Sequence, residues 1–429
     1  MSWDYDVFVI GGGPAGAAAA CAAREGGLRV CLAEKADFPR FRIGESLLPR
    51  GNHLLQRLGV WPKLEAAGFM RKYGAVFCSG SGSHRKEVIF ANALVPGLGS
   101  TFQVERSRFD ALLLDHARER GATLWMKSAV RTVAETDEGC RLEVDTPEGR
   151  REVAAGWVID ASGRDNTHVG PLRDAFDKPT LAKRLAVYTH FTGMVRPEGP
   201  AAGHTTVVRL KDAWFWIIPL SQGRTSVGWV ARTEALRGRT PQQAFEQAVA
   251  GSPVLRQALH GAEAVQPFRV TADYSYFRRH LASGRVLLVG DAGGFFDPIF
   301  SSGVYVGLRS ALQAVDQVLV AHRQDRALSP REQNAFTRGV KNHARVFERL
   351  IHAFYDDDAF ALFMDPTPPL RIDKAVAAIL AGHAELTWPL WWRYHTFLAL
   401  CRLQRWIRFQ EAVAFDETLH PTPEGRANA

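Results

Sequence analysis

The chain begins with a strand-length apolar run, Tyr5 to Ile10, that passes through Gly11-Gly12-Gly13-Pro14-Ala15-Gly16 into an alanine-rich stretch. A second apolar run, Leu28 to Ala33, ends at Glu34. Read by period this is strand, tight turn, helix, strand: a βαβ unit of about 30 residues. Trp157–Asp160 and Val286–Asp291 read as further strands, and Arg108–Glu119 and Gly303–Val320 as helices. Beyond Gly80 the pattern becomes β-like and glycine-rich, and alternation from about Leu185 to Thr233 predicts several antiparallel strands. From about Pro330 the chain reads as helical and aromatic-rich, fraying after His420, with no internal repeat. The expected architecture is α/β, with an added antiparallel sheet and a helical C-terminal region.

The glycines carry the first chemical signal. Gly11, Gly13 and Gly16 occupy GxGxxG positions, where missing side chains let the backbone turn, approach a pyrophosphate and pack helix against strand; Glu34 is spaced to accept from a ribose hydroxyl. A second glycine-rich turn, Gly290-Asp291-Ala292-Gly293-Gly294, ends a strand in an aspartate suited to a ribityl hydroxyl. Two separated sites imply an elongated cofactor. With Asp160–Arg164, and with Gln103, Glu105 and Arg106, these segments resemble the glutathione-reductase-like (Rossmann-type) FAD-binding fold of aromatic hydroxylases and halogenases over roughly residues 5–320. The resemblance implies FAD contacts from Gly11, Gly13, Ala15, Gly16, Glu34, Arg42, Glu45, Ser46, Arg106, Asp291 and Gly303. It also implies an interleaved chain: FAD-binding stretches 1–80, 101–175 and 281–330, substrate-domain strands 81–100, an antiparallel-sheet substrate domain 176–280 and a C-terminal helical region 331–429. No second GxGxxG marks a nicotinamide domain, so reduced FAD is expected from a separate flavin reductase.

Composition narrows the class. The formal charge of +8 and pI near 9.4 admit an acidic partner, but basic residues are interspersed with acids, which argues against nucleic acid and against a membrane-surface role. Five scattered cysteines show no zinc or disulfide spacing and read as buried thiols. No apolar run approaches the roughly 20 residues of a spanning helix. Asp4 and Asp6 lead straight into a strand rather than a basic leader, so a cytoplasmic location is expected.

Three segments resemble the flavin-dependent halogenase family, in its phenol- and pyrrole-type branch. Trp214-x-Trp216-x-Ile218-Pro219 would wall the flavin with two indoles, leaving its oxidant accessible to something as small as a halide. Phe296-x-Pro298-x-x-Ser301-x-Gly303 follows the FxPxxSxG pattern; backbone N–H groups at Ser302 and Gly303 would nest chloride or bromide, and Ser301 or Ser302 is also a candidate helix cap. In Gly68-Phe69-Met70-Arg71-Lys72-Tyr73-Gly74 the family places an active-site lysine; Lys72 is the candidate, with Arg71 as the alternative cation on the opposite face of a strand. The catalytic set implied is Lys72, Trp214, Trp216 and Ser302, acting on an electron-rich phenolic or pyrrolic ring, free or on a carrier protein. Gly44–Pro49 supports the superfamily rather than the reaction. Cys78-Ser79-Gly80 departs from the Trp-Gly common in phenol and pyrrole relatives, and the chain lacks the inserted elements of the tryptophan branch. A monooxygenase or dehydrogenase on the same fold is the rival reading. The Trp388–Trp406 region reads as core-packing helix, with a lid, a carrier-docking face or a membrane-surface helix as alternatives, and Asp356-Asp357-Asp358 as a cap or turn rather than a metal site.

Overall fold

Apolar alternation in the first strands is resolved in the computed structural model, which describes residues 3–165, 172, 176–177, 181–272, 275–295, 297–365 and 368–415. Phe296 and the residues after His420 lie outside that set. The chain divides into two units: Met1–Gly68, Val104–Thr180 and Ser275–Val346 form the first, and Phe69–Gln103, Leu181–Tyr274 and Phe347–Ala429 the second.

The first unit is built on a seven-stranded sheet. β1 (Tyr5–Ile10) pairs in parallel with β2 (Val30–Glu34), which pairs with β7 (Thr123–Met126). On its other side β1 pairs with the last residues of the long β10 (Gly149–Asp160), and β18 (Val286–Leu288) joins the same end of β10, again in parallel. The first half of β10 runs antiparallel to β9 (Cys140–Thr146), which continues to β8 (Ala129–Glu135). Phe8, Ile10, Cys31, Ala33, Val158, Val286 and Leu288 bury one face together with Leu142, Val144 and Val153 of this meander. Helix α1 (Pro14–Glu25) packs on α7 (Gly303–Arg323), with short helices α2 (Gly51–Arg57) and α3 (Trp61–Ala66), and α4 (Arg106–Glu119), alongside. The alanine run of α1 keeps that approach close, and a Cβ on Gly26 would fall 2.4 Å from Leu319. A two-stranded ribbon, β17 (Tyr276–Phe277) with β19 (Gly294–Phe295), completes the unit, and α8 (Pro330–Tyr355) carries the chain onward.

The second unit holds an eight-stranded sheet ordered β15 (Glu263–Ala264), β11 (Arg184–Thr192), β14 (Thr225–Arg232), β13 (Trp214–Pro219), β12 (Thr205–Arg209), β4 (Gly74–Ser79) and β5 (Arg85–Ile89), with β16 (Arg269–Ala272) also on β11. All its pairs are antiparallel except β12 with β4. A separate ribbon joins β3 (Met70–Lys72) to β6 (Thr101–Gln103). Phe215 and Ile217 turn to the face covered by α5 (Pro241–Ala250) and α6 (Pro253–Ala258), against Val227, Trp229, Phe245 and Leu255. By the two-residue period of a strand, Trp214, Trp216 and Ile218 turn the other way. The chain then adds α9 (Asp357–Met364), α10 (Ile372–Leu380) and α11 (Trp388–Leu403). Asp356 caps α9 by accepting from the Ala359 N–H at 3.0 Å, as a capping reading of the triple aspartate expects, while Asp357 pairs with Arg209. All five cysteines are free and buried, and burial pushes the thiols up to about 12. Among the described residues no helix is long and apolar enough to cross a membrane.

Gly228 lies opposite Trp216 in the β13–β14 register, and a Cβ there would fall 2.1 Å from the indole. Gly228→Ala is therefore expected to cost about 1–3 kcal/mol of unfolding free energy. Chemical denaturation checks this. The loss should shrink in a Trp216→Phe background, and equal losses in both would assign it elsewhere.

Candidate active site

In the first unit three strand ends converge. Gly11 N–H donates to Ala33 O (2.7 Å), Ala161 N–H to Ile10 O (2.8 Å) and Val289 N–H to Asp160 O (2.9 Å). This is the carboxyl-end crevice of a parallel sheet, where such folds bind ligands. The loop after β1 admits only glycine at two points: Gly11 sits at φ +99°, and a Cβ on Gly16 would lie 1.9 Å from Gly11 O. Gly13 precedes the helix, whose first position is Pro14. Ala15 lies against Gly290 and Gly307, and would meet a Cβ on either within 3.5 Å. Glu34 accepts from Gly12 N–H (2.7 Å) and Ala36 N–H (2.8 Å), with Arg40 Nη2 3.6 Å away.

Beside this loop Asp160 is fully buried; Oδ1 accepts from Ser162 N–H at 2.8 Å, while Oδ2 and the Ser162 hydroxyl have no hydrogen-bond partner in the protein. Desolvation raises the Asp160 carboxyl above its ordinary range. Burial also raises Asp291, against the opposing pull of Arg164, Arg106 and Arg42. Arg106 is held by Asp110 (2.7 and 2.9 Å) and by Ile43 O (2.7 Å), while Glu45 and Ser46 are buried and Arg42 is exposed. A glycine-only cradle, buried polar atoms lacking protein partners and a cationic cluster suit an elongated, anionic dinucleotide such as FAD.

Asp291, Ser302 and Gly303 are brought together. They line one small open recess with Gly290, Gly294, Phe295, Asp297, Pro298 and Val306. Ser301 adopts the left-handed conformation (φ 57°), Ser302 returns to φ −79°, and the 21-residue α7 starts at Gly303. Ser302 occupies the cap position, but its hydroxyl makes no cap hydrogen bond to α7; at the preceding turn Asp297 accepts from Ile299 N–H (3.2 Å). The serine reading as a side-chain cap is thus corrected: its helical backbone angles leave the first-turn N–H groups to another acceptor.

In the second unit Lys72 is 2 % exposed, its Nζ 5.2 Å from the Phe90 ring centroid, and burial pulls its ammonium down to about 7. Arg71 stacks on Phe102 at 4.4 Å and is only half-buried. Trp214 and Trp216 are buried, with centroids 5.9 Å apart. Both indole N–H groups are held: Trp214 donates to the Tyr355 hydroxyl (2.7 Å) and Trp216 to the Ser226 hydroxyl (3.1 Å). The Arg184 guanidinium lies 3.8 Å over the Tyr355 ring. Tyr355, Ser226 and Gly228 escaped sequence reasoning, although an interior strand glycine opposite a tryptophan is a usable sign of close packing. The His204–Glu87 contact, Nδ1 to Oε1 at 3.0 Å, was missed as well.

The fold and cradle define an FAD-binding oxidoreductase, and the FAD binding domain family matches residues 4–338. A 1H-pyrrole-2-carbonyl-(peptidyl-carrier protein) chlorinase of Pseudomonas fluorescens is 33% identical over 344 residues, 74% of this chain and 76% of that protein. A tryptophan 2-halogenase of Chondromyces crocatus is 32% identical over 375 residues, covering 82% and 68%. Among solved structures, a flavoprotein/dehydrogenase from Cytophaga hutchinsonii aligns with TM-score 0.84 at 28% identity, over 93% of this chain and 99% of that one. The chain belongs to the flavin-dependent halogenase family.

Lys72 makes a pH prediction. With a native value near 7 against 10.5 ordinarily, the unfolded chain binds the extra proton between those limits, so stability from this group rises with pH across the window, by at most about 1.4 kcal/mol per unit. Lys72→Met should remove that slope and exceed wild type in stability at pH 7, the gap closing towards pH 10. Denaturation curves at several pH values check it; parallel curves would show the amine to be solvated.

Proposed function

We propose that the protein is an FADH2- and O2-dependent halogenase that makes hypohalous acid and halogenates an electron-rich aromatic, phenolic or pyrrolic, free or on a carrier protein. The observation that carries this reading is the buried amine of Lys72 in a unit that also fixes two indoles. Gly11, Gly13, Ala15, Gly16 and Glu34 would hold the adenosine and diphosphate end of FAD. Arg42, Glu45, Ser46, Arg106, Asp291 and Gly303 would hold the rest. Bound and reduced by a separate reductase, FAD supplies with oxygen the two-electron oxidation that turns halide into hypohalous acid. Backbone N–H groups at Ser302 and Gly303, at the positive end of a helix whose Ser302 side chain makes no capping bond, would favour an anion, chloride or bromide.

Trp214 and Trp216 exclude an organic ring while passing a small neutral oxidant. Near neutral pH about half of Lys72 is the free amine, given its value of about 7. Its lone pair attacks the halogen of hypohalous acid, forming an N–halogen bond and releasing water. The aromatic ring takes the halogen and loses a proton, and the amine is restored. An electron-rich ring is supported by two relatives whose names specify a pyrrole and tryptophan. Burial supports the lysine in this role because a solvated amine would be protonated and inert. A cytoplasmic location fits a chain fed by a soluble reductase.

The test supplies FAD, a flavin reductase, NADH, oxygen and bromide with phenol, pyrrole and indole probes. Brominated product is expected, and Lys72→Ala should lose it by about a hundred-fold or more while reduced flavin is still reoxidised. Bromination surviving in that variant would remove the lysine from the chemistry. Hydroxylated or desaturated product without bromine would favour the monooxygenase or dehydrogenase reading.

A further inference from the structure

Lys72 shares its corner of the second unit with another buried titratable group. His204 stands at the start of β12, 4 % exposed, with its ring against the Gly74 backbone: a Cβ there would lie 3.2 Å from both Cε1 and Nε2. Gly74 is two residues beyond Lys72. The ribbon that carries Lys72 grips both neighbours of the histidine. Gln103 Nε2 donates to Gly203 O (2.9 Å) and to the Thr205 hydroxyl (2.8 Å), and Gly203 sits so close that a Cβ would fall 1.7 Å from Arg71 O.

The imidazole has two ends in different surroundings. Nδ1 lies 3.0 Å from Glu87 Oε1, and the Glu87 side chain is 37 % exposed, so that end reaches water through a carboxylate. Neither ring nitrogen makes a hydrogen bond of regular geometry in the protein: Nδ1 meets Glu87 as a close ion-pair contact, and Nε2 is buried. Burial holds the imidazole below its ordinary range; Glu87 opposes this, while the charges of Lys72 and Arg85 add to it. Histidine is suited to accept a proton on one nitrogen and release another from the second.

We propose that His204 and Glu87 form a proton relay between Lys72 and solvent. The relay rests on the assignment of Lys72 to halogen transfer. When Lys72 starts as the ammonium, it must give up one proton before its lone pair can attack hypohalous acid, and that proton needs an acceptor. His204 takes it on Nε2 and passes a proton from Nδ1 to Glu87, which loses it to water. Both residues act through Lys72 and make no contact with the ring being halogenated.

The experiment titrates halide-free holoenzyme carrying ¹³Cε1-labelled histidine, with the His204 resonance identified by its loss in His204→Gln. The midpoint is expected below the ordinary value of about 6.5. It should rise by about half a unit or more in Lys72→Met and fall in Glu87→Gln. Because Glu87 is half exposed, its variant is expected to fold, and its bromination profile should have the acid limb displaced to lower pH by the same amount. In His204→Gly, turnover should drop about ten-fold or more and recover on adding imidazole, which a purely structural role would not produce. A His204 midpoint unmoved in Lys72→Met, or a Glu87→Gln profile superimposable on wild type, overturns the relay. Should the coupled titration appear in a protein that brominates no probe, the assigned activity fails instead.

Discussion

An ammonium in a dry interior loses its hydration, and the second unit is arranged around tolerating that loss at Lys72. The amine meets it by becoming neutral near pH 7, which is also the condition for nucleophilicity. Neutrality follows from where the backbone puts the residue. β3 is three residues long, pairs with β6 and alternates, so Lys72 is buried while Arg71 lies across Phe102. A strand register shifted by one residue would exchange the two cations and put a guanidinium, which stays charged, in the lysine's place.

Close backbone approach is the second constraint, and glycine supplies it in both units. Gly16 against Gly11 O makes the turn tight enough for the first strand to feed α1, and Gly228 lets Trp216 lie across the sheet. In the first case the missing side chains let the loop fold back on itself at the start of the helix. In the second the space is filled by the Trp216 indole, which is thereby buried and held in place.

Local order was readable where the physics is local. The βαβ unit from Tyr5 to Glu34 follows from periodicity and glycine placement, and the convergence of Asp291 with Ser302 and Gly303 follows from a strand end and a helix start joined by a short connection. The α4 and α7 boundaries differed from expectation by a few residues, since helix ends depend on tertiary contacts as well as propensity. Less legible was everything set by long-range pairing. That Gly74–Ser79 runs parallel to Thr205–Arg209 depends on partners about 130 residues apart, as does the approach of His204 to Gly74. Tyr355 as acceptor for Trp214 lies 141 residues downstream, at the end of a helix whose pattern reads as ordinary packing. The meander Ala129–Thr146 was absent from the reading because its short, half-exposed strands alternate weakly.

The indole pair poses a chemical problem that its packing answers. Indole is itself an electron-rich ring and a target for hypohalous acid, so a wall of tryptophan beside such an oxidant would be consumed unless its reactive carbons were covered. Trp214 and Trp216 are 1 % and 6 % exposed, each N–H is donated to a hydroxyl, and Gly228 lets the Trp216 ring seat against backbone. Electrophilic attack at an indole carbon must bring a halogen within bonding distance and pyramidalise that carbon, both of which a tightly packed, buried ring resists. Contrast Trp388 at the start of α11 and Trp406 in the turn beyond it, 72 % and 86 % exposed, which have no such cover and do not pack into a core as the aromatic pattern suggested. Under the proposed reading, burial on a central strand is what would let these two indoles meet such an oxidant and remain intact.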